Sequence, residues 1–215
     1  MKLIIFDLDG TLINTLEDLA NSGNYALAKY NLPTHVGAQY KHFIGNGIDK
    51  LIERILPIEE RNREKIALVK ETFIAHYNKH AQDTTQVYPG ILELLTYLRE
   101  NNFKISVATN KYHDAALTLV TKYFPTVDFD LVLGHRENFP AKPDPAIVEQ
   151  TLQTLAIKKE NCYYLGDSDV DMLTAGRAGV KAIGVTWGFR SEQELRESGA
   201  DFIINSPQEL HKIIK

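Results

Sequence analysis

The chain has 215 residues, of which 44% are hydrophobic and 24% charged, and its formal net charge is −4 at pH 7. This length and composition allow a sizeable core and exclude wholesale disorder, and the negative charge argues against broad binding to nucleic acid or anionic membranes. No apolar segment approaches the roughly 20 residues of a membrane span. The single cysteine, Cys162, excludes an intrachain disulfide and suits a reducing cytoplasm. We therefore expect a cytoplasmic protein without nucleic-acid or membrane partners, either a monomer or a homodimer.

The first predicted element is a strand over residues 3–6, which ends at two carboxylates. Asp7 and Asp9 follow the strand directly, and Gly10 and Thr11 come next. Two anions at one strand end repel each other and lose solvation. A divalent cation between them is the simplest way to stabilise them.

Residues 14–81 have the pattern of an all-helical segment. Apolar positions predict a helix from residue 16 to about residue 30, a short helix from residue 49 to the breaker Pro57, and a long helix over residues 59–79. A turn with Gly45, Asn46 and Gly47 lies between the first two. The polar residues 81–86 are predicted to form a linker.

From residue 88 onwards, helical and extended patterns alternate to the end of the chain. Strands are predicted over residues 104–109, 131–133, 161–166, 181–185 and 202–204, with helices over residues 90–101, 113–123, 144–155, 169–178 and 192–198. Such alternation predicts an α/β fold with a parallel sheet covered on both faces. The first strand must join this sheet, so we predict an α/β core of residues 1–13 and 82–215, interrupted by a helical domain of residues 14–81.

Ligands of open parallel sheets bind beyond the carboxyl ends of the strands. The groups that follow the predicted strand ends are carboxylates, a hydroxyl, an amide and lysines: Asp7, Asp9, Thr109, Asn110, Lys111, Lys142, Asp167 and Asp171. Their convergence on one edge indicates a phosphate site assisted by a metal ion. Arg190 lies near the end of another strand, but a solvated arginine is the expectation there.

This set of groups suits phosphoryl transfer. Asp7 can act as the nucleophile and form an aspartyl phosphate, and the Asp9 side chain can protonate the leaving oxygen and then deprotonate water. Mg²⁺ prefers oxygen ligands. Asp7, the backbone carbonyl of Asp9 and Asp167 could supply them, and Asp171 could reach the metal through water.

The remaining groups can hold the phosphate. The Thr109 hydroxyl and the Asn110 backbone N–H could bind phosphate oxygens. Lys142 could neutralise the charge that Asp7 and the phosphate share. Asp171 could alternatively orient Lys142.

Four segments in this order resemble the motifs of the haloacid dehalogenase superfamily: Asp7-Leu-Asp9-Gly-Thr11, Thr109-Asn110, Lys142-Pro143 and Gly166-Asp167-Ser168-x-x-Asp171. The resemblance implies a Rossmann-like core with an inserted all-helical cap domain after the first strand. It also implies Mg²⁺ as the cofactor and the roles given above for these residues.

Within the superfamily, the chain resembles the phosphoglycolate phosphatase subfamily. The matching segments include Phe43-Ile-Gly45-Asn46-Gly47, Thr109-Asn110-Lys111 and Gly184-Val-Thr-Trp-Gly188. This resemblance implies that 2-phosphoglycolate, a small phosphorylated metabolite, is the substrate. It also implies that Gly45, Asn46, Gly47 and Lys111 contact the substrate.

Several alternatives remain open at this stage. Within the same fold they are a pyrophosphatase, a sugar-phosphate phosphatase or mutase of the β-phosphoglucomutase kind, and a phosphonate-cleaving enzyme; Asp9 argues against a dehalogenase. A receiver-type signalling domain also uses acidic groups, a threonine and a lysine, although it needs no large helical insert. A dinucleotide-binding module is disfavoured because no G-x-G-x-x-G follows the first strand.

Overall fold

The computed structural model describes residues 1–214. Within this range the strands, labelled β1 to β8 in chain order, are Leu3–Phe6, Ile13–Asn14, Gln86–Val87, Lys104–Tyr112, Leu131–His135, Cys162–Gly166, Lys181–Val185 and Phe202–Ile204. The α-helices, labelled α1 to α9, are Leu16–Lys29, Tyr40–Phe43, Ile48–Ile55, Arg63–His80, Ile91–Glu100, His113–Tyr123, Ala146–Leu155, Asp169–Ala178 and Glu192–Glu197. Short 3-10 helices cover Gly37–Gln39, Ile58–Glu60, Lys159–Asn161 and Pro207–Lys212.

The main sheet has six strands in the order β5-β4-β1-β6-β7-β8, and every adjacent pair is parallel. This confirms the predicted parallel sheet. Strand β1 lies in the interior of the sheet, where Leu3 is in register with Lys104 of β4 and with Cys162 of β6. Its carboxyl end therefore lies next to the carboxyl ends of β4 and β6.

Both faces of the sheet are covered, as the fully apolar sequence of β1 requires. Ile4 and Phe6 point into one core, together with residues of α5 and α6. Leu3 and Ile5 point into the other core, together with residues of α7 and α8. All four side chains are fully buried, and this packing fixes the direction in which β1 delivers the residues that follow it.

The chain divides into two compact units, an α/β unit of residues 1–13 and 87–215 and a helical unit of residues 14–86. The sequence placed residues 82–86 with the α/β core, but the structure places them with the helical unit. The reason is the buried carboxylate of Asp18 in α1, which accepts hydrogen bonds from the backbone N–H and hydroxyl groups of both Thr84 and Thr85. These residues are an anchored segment of the helical unit rather than a linker.

Other elements differ in their bounds from the predicted ones. Helix α4 begins at Arg63 and not at residue 59, because the Asn62 side chain caps it by accepting a hydrogen bond from the Lys65 N–H. The short helix α2 was not predicted. Strand β4 continues to Tyr112 with an irregular register after Ala108, so Thr109 to Lys111 lie within its last part rather than after it. Among the described residues, no helix is both long and apolar enough to span a membrane.

Candidate active site

Three carboxylates meet at the carboxyl edge of the sheet. Asp7 follows β1, Asp167 follows β6, and Asp171 lies in the first turn of α8. One oxygen atom of each lies within 4.8 Å of those of the other two, and all three residues are buried. Carboxylate oxygens in such a group are ligands that a divalent cation prefers.

The backbone around the carboxylates leaves little free space. Gly10 has a φ angle of +85°, and a Cβ atom at this position would collide with the Asp167 carboxylate. The Asp167 side chain is held in place by two donors, the Thr11 hydroxyl at 3.0 Å and the Phe189 N–H at 2.8 Å. The loops after β1 and β7 therefore fix the Asp167 carboxylate from two sides.

Asp171 is fixed by its own helix terminus. Ser168 caps α8, and the Asp171 carboxylate accepts hydrogen bonds from the Ser168 N–H at 3.1 Å and from its hydroxyl at 2.6 Å. The other oxygen of Asp171 faces Lys142. Asp171 thus bridges the helix cap and the only cation among the described residues that contacts Asp7.

Lys142 lies among the carboxylates and is almost fully buried. Its Nζ is 2.7 Å from Asp171 Oδ1 and 3.0 Å from Asp7 Oδ1. The Asn110 side chain holds the Lys142 backbone, since its amide donates to the Lys142 carbonyl at 3.0 Å and its oxygen accepts from the Lys142 N–H at 2.8 Å. The end of β4 therefore sets the position of Lys142.

The electrostatics of the site favour a further positive charge. Burial, and then repulsion from Asp171, raises the pKa of Asp7 to about 7, although Lys142 opposes this shift. Burial and the charges of Asp171 and Asp7 also raise the pKa of Asp167 well above its usual range. Burial works against the charge of Lys142, but Asp171 and Asp7 outweigh it and raise the pKa of this lysine well above its usual value. One ammonium group does not balance three buried carboxylates, so the site fits a cation.

Asp9 lies apart from this group. Its carboxylate forms an ion pair with Lys111, whose Nζ is 3.1 Å from each of the two Asp9 oxygens. Both side chains are mostly shielded from solvent. The Asp9 side chain is thus held by a lysine from the neighbouring strand β4.

A family model for haloacid dehalogenase-like hydrolases matches residues 4–185. The chain belongs to this family. The match covers both the first carboxylates and the strands that carry the rest of the site, so it confirms the superfamily resemblance seen in the motifs.

Individual relatives agree with this family over nearly the whole chain. A phosphoglycolate phosphatase of Mannheimia succiniciproducens is 33% identical over 99% of this chain and 98% of its own length. One of Cereibacter sphaeroides is 34% identical over 88% and 87%. The crystal structure of a predicted phosphoglycolate phosphatase from Haemophilus somnus 129pt has a TM-score of 0.91 at 30% identity and covers 100% of this chain and 98% of that one.

Within this haloacid dehalogenase-like chain, the structure brings Asp7, Lys142, Asp167 and Asp171 together. The Asp9 side chain does not join the carboxylate group, while its backbone carbonyl stays a predicted metal ligand.

The residues predicted to hold the phosphate have partners that the sequence did not indicate. The buried Thr109 hydroxyl accepts a hydrogen bond from the Lys111 N–H at 3.2 Å. The Asn110 side chain is engaged with Lys142, so only its backbone N–H fits the predicted phosphate role. The roles of both residues stay predictions.

Gly45, Asn46 and Gly47 lie in the helical unit, in the loop between α2 and α3. Gly45 and Gly47 have φ angles of +123° and +82°, which favour glycine, and Gly47 precedes the first residue of α3. Their contact with a substrate stays a prediction.

Two residues near the site differ from the sequence expectations. Arg190 is buried, and its Nε is 3.4 Å from Asp169 Oδ1, so it is not the solvated arginine that we expected. The fully buried Tyr164 contacts Lys142 and was not singled out in the sequence. A signal for Tyr164 existed, since it lies three residues before Asp167 on a strand that otherwise carries apolar residues towards the core.

Proposed function

We propose that this protein is a Mg²⁺-dependent phosphatase that hydrolyses a small phosphorylated metabolite, with 2-phosphoglycolate as its substrate. The observation that carries the proposal is the buried Asp7 carboxylate beside Lys142, with Asp167 and Asp171 close by. Membership of the hydrolase family supports the reaction, and the names of the full-length relatives support the substrate. The free and buried Cys162 agrees with a reducing compartment such as the cytoplasm.

The metal would be held by Asp7, the backbone carbonyl of Asp9 and Asp167, with Asp171 acting through water or through Lys142. The donor set fits Mg²⁺ because it consists of oxygen atoms and because three carboxylates face a single ammonium group. When bound, Mg²⁺ screens the repulsion between the carboxylates and an incoming phosphate.

The chain's own residues then perform two displacements. An Asp7 oxygen attacks phosphorus, the bond from phosphorus to the ester oxygen breaks, and the departing alcohol takes a proton from Asp9. Asp9 next removes a proton from water, whose oxygen attacks phospho-Asp7. Inorganic phosphate leaves and both aspartates return to their first state. Lys142, the Thr109 hydroxyl and the Asn110 N–H stabilise the phosphate charge.

The substrate's second anionic group requires a cation. 2-Phosphoglycolate carries a carboxylate beside its phosphate ester, and Lys111 supplies a shielded ammonium close to Asp9. We assign Lys111 to substrate binding on this basis. We assign the helical unit to the role of a cap that covers the substrate and excludes water, with Gly45, Asn46 and Gly47 as its contact loop.

Metal binding should depend on pH because the pKa of Asp7 without a bound metal is about 7. Below this pH, Mg²⁺ must displace a proton from Asp7, so its affinity should fall by at least roughly tenfold per pH unit. Isothermal titration of the metal-free protein with Mg²⁺ from about pH 5 to pH 8 measures this, with circular dichroism as a check that the fold persists. An affinity independent of pH would contradict a site built on Asp7.

The substrate is tested by phosphate release with Mg²⁺ from 2-phosphoglycolate, pyrophosphate, a hexose phosphate and p-nitrophenyl phosphate. We expect the highest kcat/KM for 2-phosphoglycolate and loss of activity with EDTA. A much higher value for pyrophosphate or the hexose phosphate would overturn the substrate. Absence of multiple turnover with every compound, with one stable phosphorylation instead, would favour the receiver-type alternative.

A further inference from the structure

Tyr164 of β6 is a buried tyrosine whose hydroxyl lies against the lysine of the active site. The Tyr164 oxygen is 2.7 Å from the Ala108 carbonyl, 2.9 Å from Lys142 Nζ and 3.4 Å from Asp171 Oδ1. Its ring lies under the same ammonium group, 5.5 Å from ring centroid to Nζ. A purely apolar core position would be filled by phenylalanine without a buried hydroxyl that needs partners.

The hydrogen bonds around Lys142 give the hydroxyl a definite role. The Ala108 carbonyl can only accept, so the Tyr164 hydroxyl donates to it and uses a lone pair to accept from Lys142. The ammonium also donates to the Ala108 carbonyl at 3.1 Å and to Asp171 Oδ1 at 2.7 Å. These acceptors equal the three N–H groups of a lysine in number.

Asp7 has a different relation to the same ammonium. Its Oδ1 is 3.0 Å from Lys142 Nζ and forms an ion pair with it. The hydrogen bonds of the ammonium go instead to Ala108, Tyr164 and Asp171. The hydrogen bond that Asp7 Oδ1 accepts comes from the Leu8 N–H, at 2.7 Å. Lys142 therefore acts on Asp7 through its charge, while its N–H groups point to other oxygens.

We infer that Tyr164 is a positioning residue that directs the N–H groups of Lys142 away from Asp7. This inference rests on the proposed role of Asp7 as the nucleophile. A hydrogen bond to a carboxylate stabilises its charged form and makes its electrons less available for attack. Tyr164 keeps the positive charge near Asp7 for the phosphorylated state without adding such a bond to the attacking group.

The substitution Tyr164→Phe tests the inference because it keeps the ring beneath Lys142 and removes only the hydroxyl. One N–H of Lys142 then loses its acceptor and turns to Asp7. We expect kcat for 2-phosphoglycolate to fall roughly tenfold, the scale of one hydrogen bond to a charged group. KM should stay within about twofold, since Lys142 keeps its charge in this variant.

A second readout needs no turnover. In protein labelled with ¹⁵N-lysine, the buried ammonium of Lys142 should give its own resonance, assigned by its loss in Lys142→Met. Tyr164→Phe should shift this resonance, because the hydroxyl contacts Nζ directly. An unchanged resonance would show that the hydroxyl does not orient Lys142.

Two matched substitutions separate positioning from stability. Tyr163→Phe changes the neighbouring residue on the opposite face of β6, and should leave kcat and the Lys142 resonance unchanged. Tyr40→Phe removes a buried hydroxyl that donates to Asn24 in the helical unit, which calibrates the loss of Tm for such a change.

These measurements distinguish failure of the inference about Tyr164 from failure of the proposed phosphatase function. Lack of phosphatase activity in the unmodified protein would reject the proposed function and leave the resonance measurement to decide on Tyr164. Normal activity in the unmodified protein with an unchanged kcat in Tyr164→Phe would overturn the inference. If Tyr164→Phe lost as much Tm as Tyr40→Phe does and kept its kcat, Tyr164 would have a structural role alone, which would also overturn the inference.

Discussion

Replacing Asp7 with asparagine should abolish turnover and at the same time stabilise the metal-free protein. Asparagine has nearly the same shape but cannot attack phosphorus as a carboxylate can, so kcat should fall by at least about 10⁴-fold. The gain in stability follows from the raised pKa of Asp7, about 7 in the folded protein against an ordinary value of 3.8. Ionising this carboxylate costs more free energy in the folded state than in the unfolded chain.

The sign of the stability change can be worked out from these pKa values. Between about pH 4 and pH 7 the folded protein holds a proton on Asp7 that the unfolded chain has released, so the free energy of unfolding falls as pH rises through this range. The asparagine side chain of the variant does not titrate. The difference between Asp7→Asn and the unmodified protein should therefore grow up to about pH 7, level off above it, and reach about 2 to 4 kcal/mol.

A control is available in a second buried aspartate. Asp18 accepts four hydrogen bonds from Thr84 and Thr85, so Asp18→Asn should lower Tm, the opposite direction to Asp7→Asn. Thermal unfolding in EDTA at about pH 5 and pH 8 measures both changes. Retained turnover in Asp7→Asn would remove Asp7 as the nucleophile. A Tm of Asp7→Asn below that of the unmodified protein at about pH 8 would contradict the electrostatic explanation.

Replacing Lys142 with methionine should remove both activity and stability. Its side chain is almost fully buried between Asp7 and Asp171, and methionine leaves their carboxylates without a cation. Removing one partner of a buried ion pair typically costs about 3 to 5 kcal/mol, and loss of the charge that stabilises the phosphorylated state should lower kcat by roughly 10³-fold. Denaturant unfolding and phosphate release measure the two effects.

The pH dependence distinguishes this explanation from a general loss of packing. Asp7, whose pKa is raised to about 7, is protonated at about pH 5 and then no longer repels the Asp171 carboxylate, so the destabilisation of Lys142→Met should be clearly smaller there than at about pH 8. Lys142→Arg should not restore activity, because a planar guanidinium does not reproduce the contacts of a compact ammonium among four oxygens. Equal destabilisation at both pH values would show that charge is not the cause.

The convergence of the site could be predicted from the sequence because it follows from the sheet. Apolar runs identify buried strands, parallel strands end at one edge, and Asp7 and Asp167 each come directly after such a run. The position of Lys142 was also foreseeable, as a lysine in the loop after β5. The local pattern therefore predicts the edge of the sheet at which the site residues lie.

The contacts that tune the site could not be read from the same pattern. Tyr164 meets Lys142 across 22 positions in sequence, so a hydroxyl on an apolar strand draws attention to the residue but does not indicate its partner. Arg190 was expected in solvent, whereas the chain after β7 folds it against Asp169. Asp18 and the residues near Thr84 likewise meet only once α1 and α4 pack together.

The most direct test of Asp7 as the nucleophile is to trap the phosphorylated protein. Protein mixed with ³²P-labelled substrate and Mg²⁺ is quenched with acid within milliseconds, and borohydride then reduces any acyl phosphate to the corresponding alcohol. We expect labelled protein that loses its phosphate in alkali, and conversion of Asp7, and no other aspartate, to homoserine. Label on a different residue, or turnover with no phosphorylated protein at any time, would contradict this role of Asp7.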